Sequence, residues 1–120
     1  MTDSAAVADD CIFCKIVAGE IPSDILYRDD FCFVIRDIAP KAPTHLLVIP
    51  NDHFTFLSGL TPERDAMVGA MFRAATEMAN REGIVESGHR LVVNQGADAG
   101  QAVDHLHLHL LGGARLREMG

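Results

Sequence analysis

Basic residues are scarce in this sequence. Ten Lys and Arg stand against seventeen Asp and Glu, a formal net charge of −7. Phosphodiester backbones are gripped by basic surfaces, so this balance argues against general nucleic-acid binding. A single nucleotide stays open, because backbone N–H groups and a few side chains can hold one phosphate. Long apolar runs are also missing, and none approaches the length of a membrane helix. Residues 1–10 are polar, acidic and alanine-rich. They lack the basic start and apolar stretch of a secretory signal and read as a disordered lead-in, with a cytoplasmic location expected. Cysteine is sparse and odd in number, three in all, which argues against a disulfide framework.

What is present suits one small domain. The chain has 120 residues, of which 48% are hydrophobic. That is enough to bury a core without disulfides, and a single domain over 11–120 is expected. Half of the six histidines fall in His105-Leu106-His107-Leu108-His109. On a strand, alternate side chains share a face, so the imidazoles line one side while Leu106, Leu108 and Leu110 enter a core. On a helix they would fan around the axis. Imidazole suits proton transfer, metal ligation and nucleophilic attack. A chance surface cluster and a three-histidine zinc site are the competing readings. The second is strained, because ligands at i and i+4 lie roughly 13 Å apart along a strand.

Residues 11–18 read as a short helix, capped by Asp9 or Asp10 and ended by Gly19. Residues 25–28 and 31–36 read as a hairpin, and 45–50 as a central strand ending at Pro50. The clearest helix spans 62–82, with Thr61 as N-cap, Pro62 in the first position and Gly83 as the stop. Its stripe is Met67, Val68, Met71, Phe72, Ala75, Met78 and Ala79. Residues 90–94 and 103–112 read as further strands. The loop between them has Gly96 and Gly100, which permit close backbone approach to a ligand. Five strands, one long helix and one short one give an α+β domain on an antiparallel sheet. Cys32, alternating with apolar residues, reads as core, and His89 as a surface residue. Cys11-x-x-Cys14 is half of a zinc site, a redox pair or two inert thiols. The redox reading lacks its usual βαβ context.

Asp37-Ile38-Ala39-Pro40, Ala42-Pro43-Thr44-His45, Leu47-Val48-Ile49-Pro50, His53, Val92-Val93-Asn94, Gly100-Gln101 and His105-x-His107-x-His109 together resemble the histidine triad (HIT) family. The likeness is to its Hint-like branch, bacterial type with Cys-x-x-Cys, and covers roughly residues 11–113. It implies a five-stranded antiparallel HIT fold that dimerises through the long helix and the 90–94 strand. It also implies an enzyme cleaving the P–N bond of purine nucleotide (AMP/GMP-type) phosphoramidates. His107 falls on the nucleophile, and His45 and His109 on supporting positions around the phosphate. Asp37 falls on the ribose-binding carboxylate. Ile38, Asn94, Gly100, Gln101 and Ala102 complete the nucleotide-binding set with His107 and His109. The likeness further implies a structural zinc on Cys11, Cys14, His53 and His105. Such a closed Cys₂His₂ shell holds its ion for structure rather than catalysis.

Three departures matter. Ala102 stands where relatives carry a serine whose hydroxyl meets the phosphate or leaving group. Asp104 replaces a common aromatic residue. The tail over 114–120 is short and differs from the aromatic tail of eukaryotic relatives. The competing functions are a nucleotide-binding module with weak catalysis and a diadenosine polyphosphate hydrolase.

Overall fold

Alternation along the central strands sets the architecture. The computed structural model describes residues 10–119. The lead-in expected over 1–10 therefore lies, Asp10 apart, outside the described residues. The strands are β1 (Tyr27–Arg28), β2 (Cys32–Arg36), β3 (Thr44–Pro50), β4 (His89–Val92) and β5 (Leu108–Gly112). They form one sheet in the order β1-β2-β3-β5-β4, every neighbouring pair antiparallel. The helices are α1 (Ile12–Val17) and α2 (Asp65–Arg81). This is the α+β arrangement that the apolar periodicities predict.

Each helix covers one face of the sheet. Cys32 and Val34 of β2, Leu46 and Val48 of β3, and Leu108 and Leu110 of β5 pack with Met67, Met71, Ala74, Ala75, Met78 and Ala79 of α2. The intervening residues Phe33, Ile35, Leu47 and Ile49 pack with Cys11, Phe13, Cys14 and Ile16 on the α1 side. The period of two in β2 and β3 thus feeds two cores, which is why β3 is buried along its whole length. Full burial of a side chain such as Leu46, Ile49 or Leu110 is worth about 1.5–3 kcal/mol.

Local chemistry fixes the connections. Asp29 closes the β1–β2 turn, its Oδ1 accepting from the backbone N–H groups of Phe31 (2.8 Å) and Cys32 (2.9 Å). That is the Asx pattern that lets a short side chain stand in for a backbone turn. The start of α2 differs from expectation in detail. Pro62–Arg64 form a 3₁₀ turn and the α-helix begins at Asp65, while Thr61 makes no side-chain cap. Its carbonyl instead accepts from the Arg64 N–H at 2.8 Å. Phe72 leaves the expected stripe and is half exposed, and its place is taken by Ala70 and Ala74. In α1 the N-cap is Cys11, whose Sγ accepts from the Cys14 N–H, in place of the expected Asp9 or Asp10. Among the described residues no helix is long and apolar enough to cross a membrane.

Candidate active site and metal centre

The histidine segment begins outside the ladder. β5 starts at Leu108, and residues 103–105 form a bend, so the strand expected from 103 is shorter at its N-terminal end. The cause is a change of partner, since Leu106 N–H donates to the Phe54 carbonyl at 2.7 Å instead of to β3. The alternation persists through the bend. Leu106, Leu108 and Leu110 lie in the α2 core. His105 and His107 face α1, where the Phe13 ring stands edge-on to both, at 5.7 and 5.3 Å between centroids.

Hydrogen bonds fix the tautomers of the histidines. His107 Nδ1–H donates to the His105 carbonyl at 2.8 Å, so the lone pair of a neutral His107 sits on Nε2. The His107 ring lies 4.9 Å from that of His109. On the far side of His109, the Lys41 backbone N–H donates to His45 Nδ1 at 3.0 Å. His45 therefore carries its proton on Nε2. It donates that proton to His109 Nδ1 at 2.9 Å, with Asp37 Oδ2 at 3.5 Å. His109 is left with an Nε2–H donor of its own. Burial holds the His45 imidazolium form down. Burial, then the neighbouring His107 and His45, push His109 to about 4. Both rings are neutral near pH 7, as this donor–acceptor chain requires.

Asp37, His45 and His109 also have the composition of a metal site, their ligand atoms lying within 4.8 Å of one another. The tautomers argue against that use. The lone pair of His45 is committed to the Lys41 N–H, so its inward nitrogen is a donor. Asp37 is itself tied down: its Oδ1 accepts from Ala39 N–H at 2.8 Å, and its N–H donates to the His45 carbonyl at 3.0 Å.

A second cluster lies beside the first, and here the opposite holds. His105 Nε2–H donates to the Pro50 carbonyl at 2.8 Å, which aims the Nδ1 lone pair at Cys11 Sγ (3.2 Å), Cys14 Sγ (3.7 Å) and His53 Nδ1 (3.1 Å). His53 Nδ1 also lies 3.4 Å from Cys14 Sγ. Two sulfurs and two nitrogens within 4.8 Å of one another have the spacing of a tetrahedral ion with Zn–S about 2.3 Å and Zn–N about 2.0–2.1 Å. An orienting carbonyl behind a ligating imidazole is the usual outer support of such a site. These four residues fit a metal ion. Only His105 of the three strand histidines reaches this cluster, in keeping with the strand spacing.

Asn94, Gly100, Gln101 and Ala102 lie in the segment between β4 and β5. Asn94 Nδ2 donates to Ala99 O at 2.8 Å and Gly96 N–H to Gln101 Oε1 at 2.8 Å. Gly96 (φ +83°) and Gly100 (φ +77°) bracket a 3₁₀ turn at Ala97–Ala99, conformations that disfavour a side chain. Gln95 and Gln101 pin the loop to the Thr55 carbonyl at 3.2 and 3.3 Å. Ala102 and Asp104 are exposed. Ile38 stands almost wholly in solvent, 99% exposed, next to Asp37. His89 is exposed as expected. Cys32 is fully buried, and burial, with the Asp29 carboxylate nearby, pushes its thiol up to about 12. Sequence reasoning missed the roles of Phe13, Lys41 N–H and the Pro50 carbonyl. Phe13 was visible only as an apolar helix residue, and backbone groups carry no sequence signal.

A five-stranded antiparallel sheet with paired imidazoles at the end of its central strands is the frame of the histidine triad proteins. The HIT domain model matches residues 18–116, and the chain belongs to that family. It is 45% identical over 113 residues to the purine nucleoside phosphoramidase of Escherichia coli K12, covering 94% of this chain and 95% of that one. A HIT family hydrolase from Clostridium thermocellum superposes with a TM-score of 0.90 at 40% identity, over 94% of this chain and 98% of the other. A zinc-bound histidine triad protein from Mycobacterium smegmatis gives 0.74 at 33% identity, over 86% and 74%.

Proposed function

We propose that this chain hydrolyses the P–N bond of purine nucleoside phosphoramidates of AMP or GMP type, through a nucleotidyl-histidine intermediate. The observation that carries the reading is the His107 Nδ1–H bond to the His105 carbonyl, which leaves Nε2 as a free nucleophile beside His109. Nε2 attacks the α-phosphorus, a P–Nε2 bond forms, and the P–N bond to the amine breaks, the leaving nitrogen taking up a proton from solvent. His109 Nε2–H, backed by the His45 Nε2–H bond, donates to the phosphoryl oxygen on which charge develops. Water then attacks the same phosphorus and gives a proton back to solvent, and the P–Nε2 bond breaks, releasing the nucleotide and restoring His107. Asp37 binds the ribose hydroxyls and exposed Ile38 covers the nucleoside. Asn94, Gly100, Gln101 and Ala102 flank the phosphate. The 45% identity to a purine nucleoside phosphoramidase supports this substrate class.

His107→Ala is the direct test. Turnover of a fluorogenic adenosine phosphoramidate should fall about a thousandfold or more, with AMP affinity retained. A quenched reaction of the unaltered protein should carry one nucleotidyl mass on the peptide containing His107. Near-normal turnover by the variant would remove His107 as nucleophile. The methyl group at Ala102, where a hydroxyl is the family pattern, favours a second reading, a nucleotide-binding module with slow catalysis. Strong AMP binding without appreciable turnover of phosphoramidate or diadenosine substrates would select it.

The reading extends to three further properties. Cys11, Cys14, His53 and His105 hold one zinc, which ties α1 to the catalytic segment and takes no part in the chemistry. Two copies associate as a homodimer. Support comes from the outer edge of β4, which among the described residues pairs only with β5, and from the half-exposed Phe72 on α2. A cytoplasmic location accords with three cysteines outside disulfides and a ligand set that needs reduced thiols.

A further inference from the structure

Glu82 follows α2 and carries a negative charge at the end of a helix where the dipole disfavours one. It is nonetheless largely shielded, with 17% of its side chain exposed. Arg36 grips it with two parallel bonds, NH1 to Oε1 at 3.0 Å and NH2 to Oε2 at 2.9 Å. Thr44 Oγ1–H adds a third, to Oε1 at 3.2 Å. The Arg36 guanidinium holds this carboxyl below its usual range, so it is charged near pH 7. Arg36 is the last residue of β2 and Thr44 the first of β3. The next residue after each is Asp37 and His45.

The alternation of the sheet makes this arrangement meaningful. Arg36 and Thr44 share the α2 face with Val34 and Leu46, whereas Asp37 and His45 continue the opposite register with Ile35 and Leu47. One carboxylate on the back of the sheet therefore clasps the two residues that immediately precede two site residues on the front. Between the clasped ends runs the 37–43 loop, which carries Ile38, the Ala39 N–H bonded to Asp37, and the Lys41 N–H that sets the His45 tautomer. His45 is secured by its own pairing with Leu111. Asp37 lies one residue beyond the last β2–β3 pair, Arg36 with Leu46. Asp37 N–H still donates to the His45 carbonyl at 3.0 Å, so the clasp and this one bond together hold the ends of the loop.

We propose that Glu82 is a positioning residue for nucleotide binding, acting through Arg36 and Thr44 to hold the ends of the Asp37–His45 loop. It touches no substrate. The proposal rests on the nucleotide-site reading given above for its effect on binding, but its structural half is independent of any substrate.

The test is Glu82→Gln, with Thr44→Val as a milder second variant should the first fold poorly. In ligand-free protein, hydrogen exchange at the Ala39 and Lys41 amides should quicken about tenfold, the size of a coupling carried through shared partners. Amides of β3 and β5 should keep their rates. KM for the phosphoramidate, and Kd for AMP, should rise by a similar factor of about ten with kcat within about twofold. The exchanged pair, Arg36→Glu with Glu82→Arg, should recover most of the loss. A merely structural ion pair would lower the melting temperature and leave KM and the two amides unmoved below it. That outcome overturns the proposal, as does faster loop exchange with unchanged KM and AMP affinity. Unaltered protein that does not cleave phosphoramidates sinks the hydrolase reading instead, and the amides and AMP affinity still decide the role of Glu82.

Discussion

Removing metal from the Cys11, Cys14, His53 and His105 cluster should lower stability without unfolding the domain. The four ligand atoms lie within 4.8 Å of one another, and four of the pairs are at 3.1–3.7 Å. Without an ion, His53 Nδ1 and His105 Nδ1 oppose each other at 3.1 Å, and one must take a proton or move away. The core under α2 does not include these ligands and should survive. On the α1 side, buried Phe13 and Ile16 still contribute about 1.5–3 kcal/mol each and keep the helix partly docked. The loss is therefore the linkage energy of the ion, about 3–4 kcal/mol when metal stands at one hundred to one thousand times its dissociation constant. For a chain of this size that is about 10–20 °C in melting temperature. The assay is calorimetry of tag-free protein with and without chelator, with metal content measured by elemental analysis, followed by re-addition of zinc. Activity should fall only secondarily, through the His105 carbonyl that holds His107. Complete metal loss with a shift under about 2 °C would refute the reasoning, as would substoichiometric metal that added zinc cannot restore.

Ala102→Ser should raise turnover, because one donor to a charged transition state is worth roughly 2–4 kcal/mol; unchanged kcat in the fluorogenic assay would show the hydroxyl unused in this chain. His109, held at about 4 against an ordinary 6.5, should contribute no break to the pH–rate profile near 6.5, only a fall toward about 4. Between those values the unfolded chain binds a proton that the folded one refuses, so this group makes stability decrease as pH falls through the window. A His109 NMR titration centred near 6.5 would refute both statements. Light scattering at micromolar concentration should give the mass of a dimer, and a monomeric mass would remove that reading.

The sequence alone determined the elements and the likeness. Apolar, β-branched runs in β2 and β3, the leucine–histidine alternation into β5 and a three-to-four-residue period in α2 are local consequences of which side chains must leave water. They were legible from Val34, Leu46, Leu108 and the methionine stripe without any contact being known. The strand geometry of His105, His107 and His109 also placed them on one face and limited how many could share an ion. The tertiary structure decided which groups each imidazole meets. His105 turned to the cysteines because a Pro50 carbonyl, fifty-five residues away, holds its other nitrogen. The His45 tautomer is set by the Lys41 N–H, and the two strand ends beside it are clasped by Glu82. Phe72, counted in the expected stripe, faces outward because α2 turns Met67, Met71, Ala74, Ala75, Met78 and Ala79 to the sheet. These outcomes rest on backbone carbonyls, N–H groups and long-range charge pairs. Every residue carries the same backbone groups, so only the folded chain selects which of them meet a side chain.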